Sequence, residues 1–267
     1  MKKGNNNNQQ QQPRKEGQGN TNNRKKKHPP PTRAEKTSKT LAWALRHQGP
    51  EIGLPMTPDG FVPVSEILNC RHEKLRHQEF TFEDIQEIVR SCAKQRFHME
   101  WKPISNYPDV DTTTFQEETI NQDDNTILCI RASQGHSLPF IDPELLLTLV
   151  PPEELAHIPV IVHGTYKLAW ETAICTKGLN KMTRNNIHFA PGLPRNQGVI
   201  SGMRATCGIY IYVNAAKCAN HPGIVFYKSA NGVLLTAGID GTLPVEYFSH
   251  VTDAKGNILL DQREKVS

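Results

Sequence analysis

The sequence lacks the features that would assign it to several common classes. Its six cysteines form no Cys-x-x-Cys pair and no secretory leader is recognisable, so we expect reduced thiols, no zinc site and an intracellular protein, cytoplasmic or nuclear. No apolar run approaches the roughly 20 residues that span a bilayer, so we expect a soluble protein with no membrane partner. No Gly-x-Gly-x-x-Gly motif follows a predicted strand, which argues against a Rossmann nucleotide site.

The basic excess of the chain is confined to its first 36 residues. The whole chain of 267 residues carries a net charge of +4, yet residues 1–36 alone hold ten Lys or Arg and two Glu. This segment has few apolar residues, so we predict a disordered basic tail that attracts polyanions without reading their sequence. A solvated leader and a localisation signal are alternative interpretations. The rest of the chain is acidic overall, so it must bind any nucleic acid through a local basic patch.

Residues 37–150 predict a small helical lobe that ends in a strand pair. A loop insertion at 102–125, rich in Asp and Glu, interrupts the predicted hairpin. The pattern is typical of a winged-helix module, although other small helical domains would give it too. The predicted elements are a first helix capped by Thr37 or Ser38 and ended by Gly49-Pro50, a short helix capped by Ser65, a helix begun by a Thr81–Asp84 capping box, and strands at 97–101 and 127–130.

Residues 151–267 predict a second lobe that is mainly β, with the boundary near residue 150. Strands are predicted at 158–162, 187–189, 208–213, 224–227 and 233–236, and helices only at 166–175 and 214–219. A helix at 143–149 precedes the boundary. The alternation of strand and helix is too irregular for a doubly wound sheet. We therefore predict an α+β protein of two lobes.

Three arginines and a histidine stand out as candidates for phosphate chemistry. Arg46 and His47 are adjacent at the end of the first predicted helix, where a fixed cation beside a titratable one can grip a phosphate dianion and move a proton. Arg96 and Arg204 lie in similarly unusual surroundings downstream. His163-Gly164-Thr165 follows the first predicted strand of the second lobe, where His and Thr could bond ribose hydroxyls; a structural histidine at a strand end is the alternative.

A series of short blocks, in this order, gives these candidates a common interpretation. The series resembles the RNA 2′-phosphotransferase family from about residue 36 to about residue 250. The blocks are Ser38-Lys39-x-Leu41 with Leu45-Arg46-His47, Asp59-Gly60-Phe61-Val62, Lys94-Gln95-Arg96-Phe97, Arg131-Ala132-Ser133-Gln134-Gly135-His136-Ser137, His163-Gly164-Thr165, Ile187-His188-Phe189-Ala190, Ser201-Gly202-Met203-Arg204 and Ser229-Ala230-Asn231-Gly232-Val233.

The resemblance implies an enzyme that removes the 2′-phosphate left at the splice junction of ligated tRNA. It implies a winged-helix lobe joined to a lobe similar to ADP-ribosyltransferases, and NAD as a consumed co-substrate. In the implied route the RNA 2′-phosphate attacks the anomeric carbon of NAD and nicotinamide leaves. The neighbouring ribose hydroxyl then attacks the phosphorus, which gives 2′-hydroxyl RNA and ADP-ribose 1″,2″-cyclic phosphate.

The resemblance also assigns the candidate residues. The chain departs from the family pattern at Asn186, where members commonly have histidine, and at Ala42, where they commonly have serine. We expect no metal, because the arginines supply the charge that magnesium gives elsewhere, and we expect a monomer. The assigned residues are Arg46, His47, Arg96 and Arg204 for catalysis, His163, Gly164, Thr165, Arg184, His188, Ser229, Asn231 and Gly232 for NAD, and Lys94, Arg131, Gln134 and His136 for the substrate phosphate or RNA. For Arg131, Gln134 and His136, a contact with the second ribose and a role in stabilising their own turn are the alternatives.

Two other functions fit part of the pattern. An NAD-dependent ADP-ribosyltransferase that stops after the first step would share the NAD residues, although it would not need three guanidinium groups around a second transfer. A winged-helix nucleic-acid binder whose second lobe only senses NAD would release no nicotinamide. The identity of the products distinguishes all three.

Overall fold

The computed structural model describes Met1 and residues 30–193, 203, 204 and 206–263. Most of the predicted tail and the Ser201-Gly202 part of one block lie outside these described residues. Thr32–Ser267 forms one compact unit, a mixed α+β structure as predicted. Within the described residues, no helix is both long and apolar enough to cross a membrane. All six cysteines are free thiols, as expected.

The secondary structure consists of short helices and antiparallel strands. The α-helices of the described residues are α1 (Arg33–Trp43), α2 (Val64–Leu68), α3 (Glu73–Arg76), α4 (Phe82–Ser91), α5 (Pro143–Leu146), α6 (Pro152–Leu155), α7 (Lys167–Ala169), α8 (Cys175–Lys177) and α9 (Ala215–Ala219). The strands are β1 (Val62–Pro63), β2 (Phe97–Pro103), β3 (Ile120–Asn121), β4 (Thr126–Ala132), β5 (Thr148–Val150), β6 (Val162–Thr165), β7 (Leu179–Asn180), β8 (Ile187–Phe189), β9 (Ile209–Val213), β10 (Phe226–Lys228), β11 (Leu234–Thr236), β12 (Thr242–Leu243), β13 (Phe248–Asp253) and β14 (Ile258–Asp261).

The first helix begins earlier than the sequence analysis predicted. Thr32 and Glu35 form a capping box at its start, so residues 33–36 are helical and the tail boundary at 36 is wrong. Thr37 is a buried residue within the helix and not its cap. After Trp43 the chain continues as a π-helical turn, Ala44–Gln48, and stops at Gly49 as predicted. The wider turn matters because it carries Arg46 and His47.

The N-terminal core lies between α1, α4 and a sheet in the order β1-β4-β2, with β3 also paired to β4. The Thr81–Asp84 capping box is present and starts α4, whose Ile85 and Ile88 are buried. Ser65 does not cap α2, because Pro63 holds that position and the Ser65 hydroxyl bonds Thr119.

The acidic insertion is not only a solvated loop. β2 and β4 form the predicted hairpin around it, with Phe97 opposite Ala132 and Pro103 opposite Thr126. Between them, Tyr107 is buried in a small core with Phe61. The insertion is therefore anchored to the sheet by its own apolar side chains.

The C-terminal core lies between two antiparallel sheets, in the orders β5-β10-β11-β8 and β14-β13-β9-β6. A bridge between Val162 and Ala190 brings β6 beside the end of β8. The predicted strand at 158–162 is displaced, because β6 runs from Val162 to Thr165 in register with β9. His163-Gly164-Thr165 consequently lies within a strand and not after it.

The two cores meet through a third cluster, which joins Leu138, Ile141 and Leu147 to Val233 and Leu235. The predicted helix at 143–149 is shorter than expected, since α5 ends at Leu146 and the chain then forms β5. β5 pairs with β10 and so belongs to the C-terminal sheet. β5 is therefore part of the C-terminal lobe, although it precedes the boundary predicted near residue 150.

Candidate active site

The π-helical turn presents Arg46 and His47 on one side of the N-terminal core. Such turns are rare and frequently lie at functional sites. Ser137 holds the turn from the opposite chain segment: its amide donates to the Arg46 carbonyl at 3.0 Å, and its hydroxyl lies 2.9 Å from His47 Nδ1. With Nδ1 occupied in this way, His47 turns its Nε2 away from Ser137.

Arg46 is buried without a hydrogen-bonding partner for most of its guanidinium group. Nε and Nη2 are both buried and unpartnered, and a methyl group at Gly135 would lie 3.5 Å from Nε. Burial, followed by the charges of Arg184 and Arg96, lowers the pKa of Arg46 to about 10. A buried cation with unsatisfied donors is costly. The obvious stabilising partner is an anion.

Lys94 and Arg96 lie in the loop between α4 and β2 and line the same cavity. The Arg96 amide carbonyl accepts from Ser133 at 2.9 Å, and its Nη1 donates to Cys92 Sγ at 3.5 Å. Lys94 Nζ reaches across to the Met203 carbonyl at 3.1 Å. This contact places the Arg204 segment beside the loop that carries Arg96.

Arg184 and Arg204 approach from the C-terminal half. Burial and the charge of Arg204 lower the pKa of Arg184, so these two guanidinium groups interact. The hydroxyl of Tyr166 lies 2.9 Å from Thr206 Oγ1. The bond with Thr206, followed by the nearby Arg204, lowers the pKa of Tyr166. Tyr166 and Arg204 line the same cavity.

Together, Arg46, Arg96, Arg184 and Arg204 form what we call the arginine cluster. None of the ion pairs among the described residues includes a member of this cluster or Lys94. Four guanidinium groups repel one another, and here no carboxylate of the described chain compensates them. Their arrangement is suited to binding a multiply charged anion such as a phosphate, through planar charge-assisted hydrogen bonds.

Two cavities open beside the cluster. One, of about 660 Å³, lies between α1 and α4 and reaches Arg46, His47 and Arg96; we call it the arginine groove. The other, of about 250 Å³, is lined by His163, Thr165, Arg184, His188 and Arg204; we call it the histidine cavity. The cluster therefore lies where a phosphate in the groove could meet a ligand in the histidine cavity.

The geometry of His163 fixes what it can offer to a ligand. Its Nδ1 lies 2.8 Å from the His188 carbonyl, so Nδ1 must carry the proton and donate. Burial is the main cause that lowers the pKa of His163, which keeps the ring neutral. Nε2 is then an acceptor, as required to bind a sugar hydroxyl. His188 adds a buried Nε2 with no partner, and burial lowers its pKa to about 3.

Several predicted residues have other positions. Arg131 donates to the Asp59 and Leu145 carbonyls and lies over the Phe61 ring, and it lines neither the arginine groove nor the histidine cavity. The predicted role of Arg131 at the substrate phosphate is not supported by this placement. Gly164 does accommodate a close neighbour, but that neighbour is Met203: a methyl group at Gly164 would lie 2.6 Å from the Met203 sulfur.

The side chains of the turn after β10, which we predicted to line the NAD site, bond within the protein. Ser229 Oγ donates to Asn231 Oδ1 at 2.6 Å, and both side chains are buried. Asn231 Nδ2 in turn donates to the Lys94 carbonyl at 2.9 Å. Gly232 has φ of +77°, which favours glycine in this tight turn. The turn holds the Lys94–Arg96 loop against the C-terminal half.

Gln134 and His136, predicted near the phosphate, line a different cavity together with Asn185 and Asn186. Among the described residues, no group of three or more His, Cys, Asp and Glu could hold a metal ion.

Comparison with known proteins supplies the family. Residues 32–238 match the family model described as RNA 2′-phosphotransferase, Tpt1 / KptA family. The chain belongs to the RNA 2′-phosphotransferase family. It is 40% identical over 218 residues to tRNA 2′-phosphotransferase 1 of Bos taurus, which covers 81% of this chain and 74% of the relative, and equally to that of Homo sapiens. It is 31% identical over 227 residues to tRNA 2′-phosphotransferase of Saccharomyces cerevisiae, covering 85% of this chain and 86% of the relative.

As an enzyme of this family, the chain has all its predicted site residues within the matched range, from Arg46 to Gly232. The sequence analysis missed two residues of the site. Ser137 ends one of the quoted blocks, so the signal was present, but only the structure shows its contact with His47. Tyr166 directly follows His163-Gly164-Thr165, and nothing in the sequence indicates its bond to Thr206.

Proposed function

We propose that this RNA 2′-phosphotransferase transfers the internal 2′-phosphate of an RNA, a ligated tRNA in the cell, to NAD. The products are 2′-hydroxyl RNA, ADP-ribose 1″,2″-cyclic phosphate and nicotinamide, with ADP-ribosylated RNA between the two steps. The observation that supports this proposal best is the arginine cluster, which gathers Arg46, Arg96, Arg184 and Arg204 without a carboxylate of the described chain.

The cluster is assigned to the transferring phosphate. Arg46 offers two buried donors that have no partner. Arg96 lines the arginine groove beside it, and Arg204 lines the histidine cavity. The charge on the phosphate rises when a hydroxyl attacks phosphorus, and pre-oriented donors stabilise that charge without reorganisation. One such donor contributes about 2.7–4 kcal/mol in comparable oxyanion sites.

NAD is assigned to the histidine cavity, with His163, Thr165, Arg184 and His188 as its ligands. NAD supplies a ribose whose bond to nicotinamide breaks readily, because the leaving group takes the bonding electrons as a neutral ring. The residues fit a sugar: His163 offers an acceptor at Nε2, and His188 has an unpartnered nitrogen. Arg184 lines the same cavity and belongs to the arginine cluster. It can therefore bind either a phosphate group of NAD or the 2′-phosphate of the RNA.

His47 is assigned to proton transfer in the second step. Burial is the main cause that lowers its pKa, followed by the charges of Arg46 and Arg184, so the ring is neutral at pH 7. A neutral imidazole that Ser137 holds by Nδ1 can accept the hydroxyl proton at Nε2. The neighbouring arginines then favour return of that proton to the leaving RNA oxygen.

We further propose the lobe identities that the resemblance implies. α1, α2 and α4 followed by the β2–β4 hairpin fit a winged-helix RNA lobe that begins at Arg33. The two C-terminal sheets, which include β5 at Thr148–Val150, fit an ADP-ribosyltransferase-like NAD lobe. The tail, up to the cap at Thr32, would add nonspecific RNA affinity. A monomer in the cytoplasm or nucleus completes the proposal.

The decisive experiment is incubation with NAD and a short oligonucleotide that carries an internal 2′-phosphate, followed by mass analysis of both products. We expect 2′-hydroxyl RNA and ADP-ribose 1″,2″-cyclic phosphate in equal amounts. The same oligonucleotide without the phosphate is the control and should yield neither. Stable ADP-ribosylated RNA would favour the one-step transferase, and intact NAD with bound RNA would favour the non-catalytic binder.

A further inference from the structure

One short segment of chain contacts three of the four candidate catalytic residues. We call it the junction segment: residues 133–138, which follow β4. At its start, the Ser133 amide donates to the Arg96 carbonyl at 2.9 Å. Further along, the Ser137 amide donates to the Arg46 carbonyl at 3.0 Å, and the Ser137 hydroxyl lies 2.9 Å from His47 Nδ1. The junction segment therefore sets how these three residues lie relative to one another.

Asn185 holds the junction segment from the C-terminal half of the chain. The Asn185 amide donates to the His136 carbonyl, and its Nδ2 donates to the Leu138 carbonyl, both at 2.9 Å. Within the described residues, both hydrogen bonds between the stretch 181–190 and the junction segment come from Asn185. Because the two acceptors flank Ser137, these bonds fix the residue that holds His47.

The same residue lies in the wall of the histidine cavity. Arg184 directly precedes Asn185 and His188 follows three positions later, and both of them line that cavity. His188 is fixed in turn, because it lies in β8 and pairs with Leu235 of β11. A short chain of contacts thus connects the histidine cavity to His47, through Asn185 and then Ser137.

Such a connection matters for a reaction between two bound molecules. Under the proposed function, the RNA phosphate lies in the arginine cluster and the ribose of NAD lies in the histidine cavity. A displacement of about 1 Å between reacting groups can lower a rate roughly 100-fold. The Asn185 Nδ2 donates to a carbonyl of the protein, so Asn185 acts on the position of other residues and not on a substrate.

We propose that Asn185 is a positioning residue, which sets the distance between the two reactants. It does so by holding the junction segment, and through Ser137 the His47 ring, against the wall of the histidine cavity. The kinetic consequence rests on the proposed function, whereas the connection between Asn185 and His47 can be tested without it.

The kinetic test uses two variants of Asn185 and a matched control. Asn185→Leu keeps the size of the side chain and removes the Nδ2 donor, and Asn185→Ala removes the donor without adding apolar bulk. With NAD and the 2′-phosphorylated oligonucleotide, both should lower kcat roughly 10- to 100-fold and change each KM less than about twofold, because each substrate keeps its own ligands. Asn180→Leu should change neither, since Asn180 is exposed and donates to Thr242, away from the junction segment. A normal kcat, or a loss confined to KM, would overturn the proposal.

Combination with Ser137→Ala tests whether Asn185 acts through Ser137. The effects of independent residues multiply in a double variant, whereas the effects of residues in one network do not. The variant with both Ser137→Ala and Asn185→Leu should therefore have a kcat within about threefold of the slower single variant. A loss equal to the full product of the two single losses would contradict the proposed connection.

The titration of His47 tests the same connection without turnover. Burial is the main cause that lowers the pKa of His47. Release of the junction segment in Asn185→Leu should admit water and raise this pKa toward that of an exposed histidine, as measured by NMR, whereas Asn180→Leu should leave it unchanged. An unchanged His47 pKa in Asn185→Leu would overturn the proposal. Failure of the unaltered protein to form 2′-hydroxyl RNA would instead refute the proposed function, and the titration would still decide whether Asn185 holds the junction segment.

Discussion

Replacing Arg46 by methionine should make the protein more stable and abolish its activity. The folded protein holds this guanidinium buried, with Nε and Nη2 unpartnered and two other arginines nearby. Methionine keeps most of the apolar stem and removes the charge. A buried functional cation of this kind lowers stability, and an active site tolerates that cost because the substrate phosphate compensates the charge.

The size of the effect follows from the pKa of Arg46. A pKa lowered from 12.5 to about 10 means that the charged form is destabilised by roughly 3 kcal/mol in the folded state. Arg46 is charged at every pH below its lowered pKa of about 10. The destabilisation is therefore fully present at neutral pH. Lost hydrogen bonds and imperfect packing of methionine offset part of it, which leaves a gain of about 1–3 kcal/mol. For a domain of this size that gain raises Tm by roughly 2–12 °C.

Thermal unfolding and a turnover assay on the same samples test this reasoning. Arg90→Met is the charge-matched control, because Arg90 is an exposed residue of α4 that pairs with Glu87 outside the cluster; it should change stability by less than about 0.5 kcal/mol and leave turnover intact. Inorganic phosphate should raise the Tm of the unaltered protein more than that of Arg46→Met. An Arg46→Met variant that is less stable than the unaltered protein and retains its turnover would refute the account.

Three further changes have defined outcomes. Ser137→Ala should lower kcat about tenfold, the effect of roughly one hydrogen bond, with KM for NAD unchanged; an unaltered kcat would mean that Ser137 does not position His47. His163→Ala should raise KM for NAD about tenfold while circular dichroism shows the same fold, and a normal KM would exclude the proposed acceptor role. The acid limb of the pH–rate profile should lie below pH 6.5, because burial lowers the pKa of His47 and its neutral form is lost only as pH falls through that lowered value; a limb well above pH 6.5 would contradict this.

The sequence predicted those parts of the fold that depend on local signals. Three such predictions are confirmed: the Thr81–Asp84 capping box, the β2–β4 hairpin and the strand at Ile187–Phe189. Each depends on a helix cap or on alternating apolar residues, which are signals from residues close together in the sequence. The Thr32–Glu35 capping box carries the same signal and was overlooked, because the basic and proline-rich residues before it favoured an extended tail.

Tertiary pairing explains the remaining differences. Residues 148–150 continue an apolar run whose pattern predicts a helix. They form a strand because they pair with β10, which is distant in the sequence. Ser229 and Asn231 have the right types for binding a nucleotide, yet their hydrogen bonds are used within the turn and on the Lys94 carbonyl. For the site, the order of the motifs predicted a common site for the arginines, and their catalytic role stays a prediction. The burial of His136 and the position of Arg131 over the Phe61 ring depend on packing that no local pattern records.

The most direct test of the central claim is a crystal structure of the protein with a 2′-phosphorylated dinucleotide. The account predicts that the 2′-phosphate lies in the arginine cluster, with oxygens about 2.7–3.0 Å from guanidinium nitrogens of Arg46, Arg96 and Arg204. A dinucleotide whose 2′-phosphate is bound elsewhere, with those three side chains making no contact to it, would contradict the account.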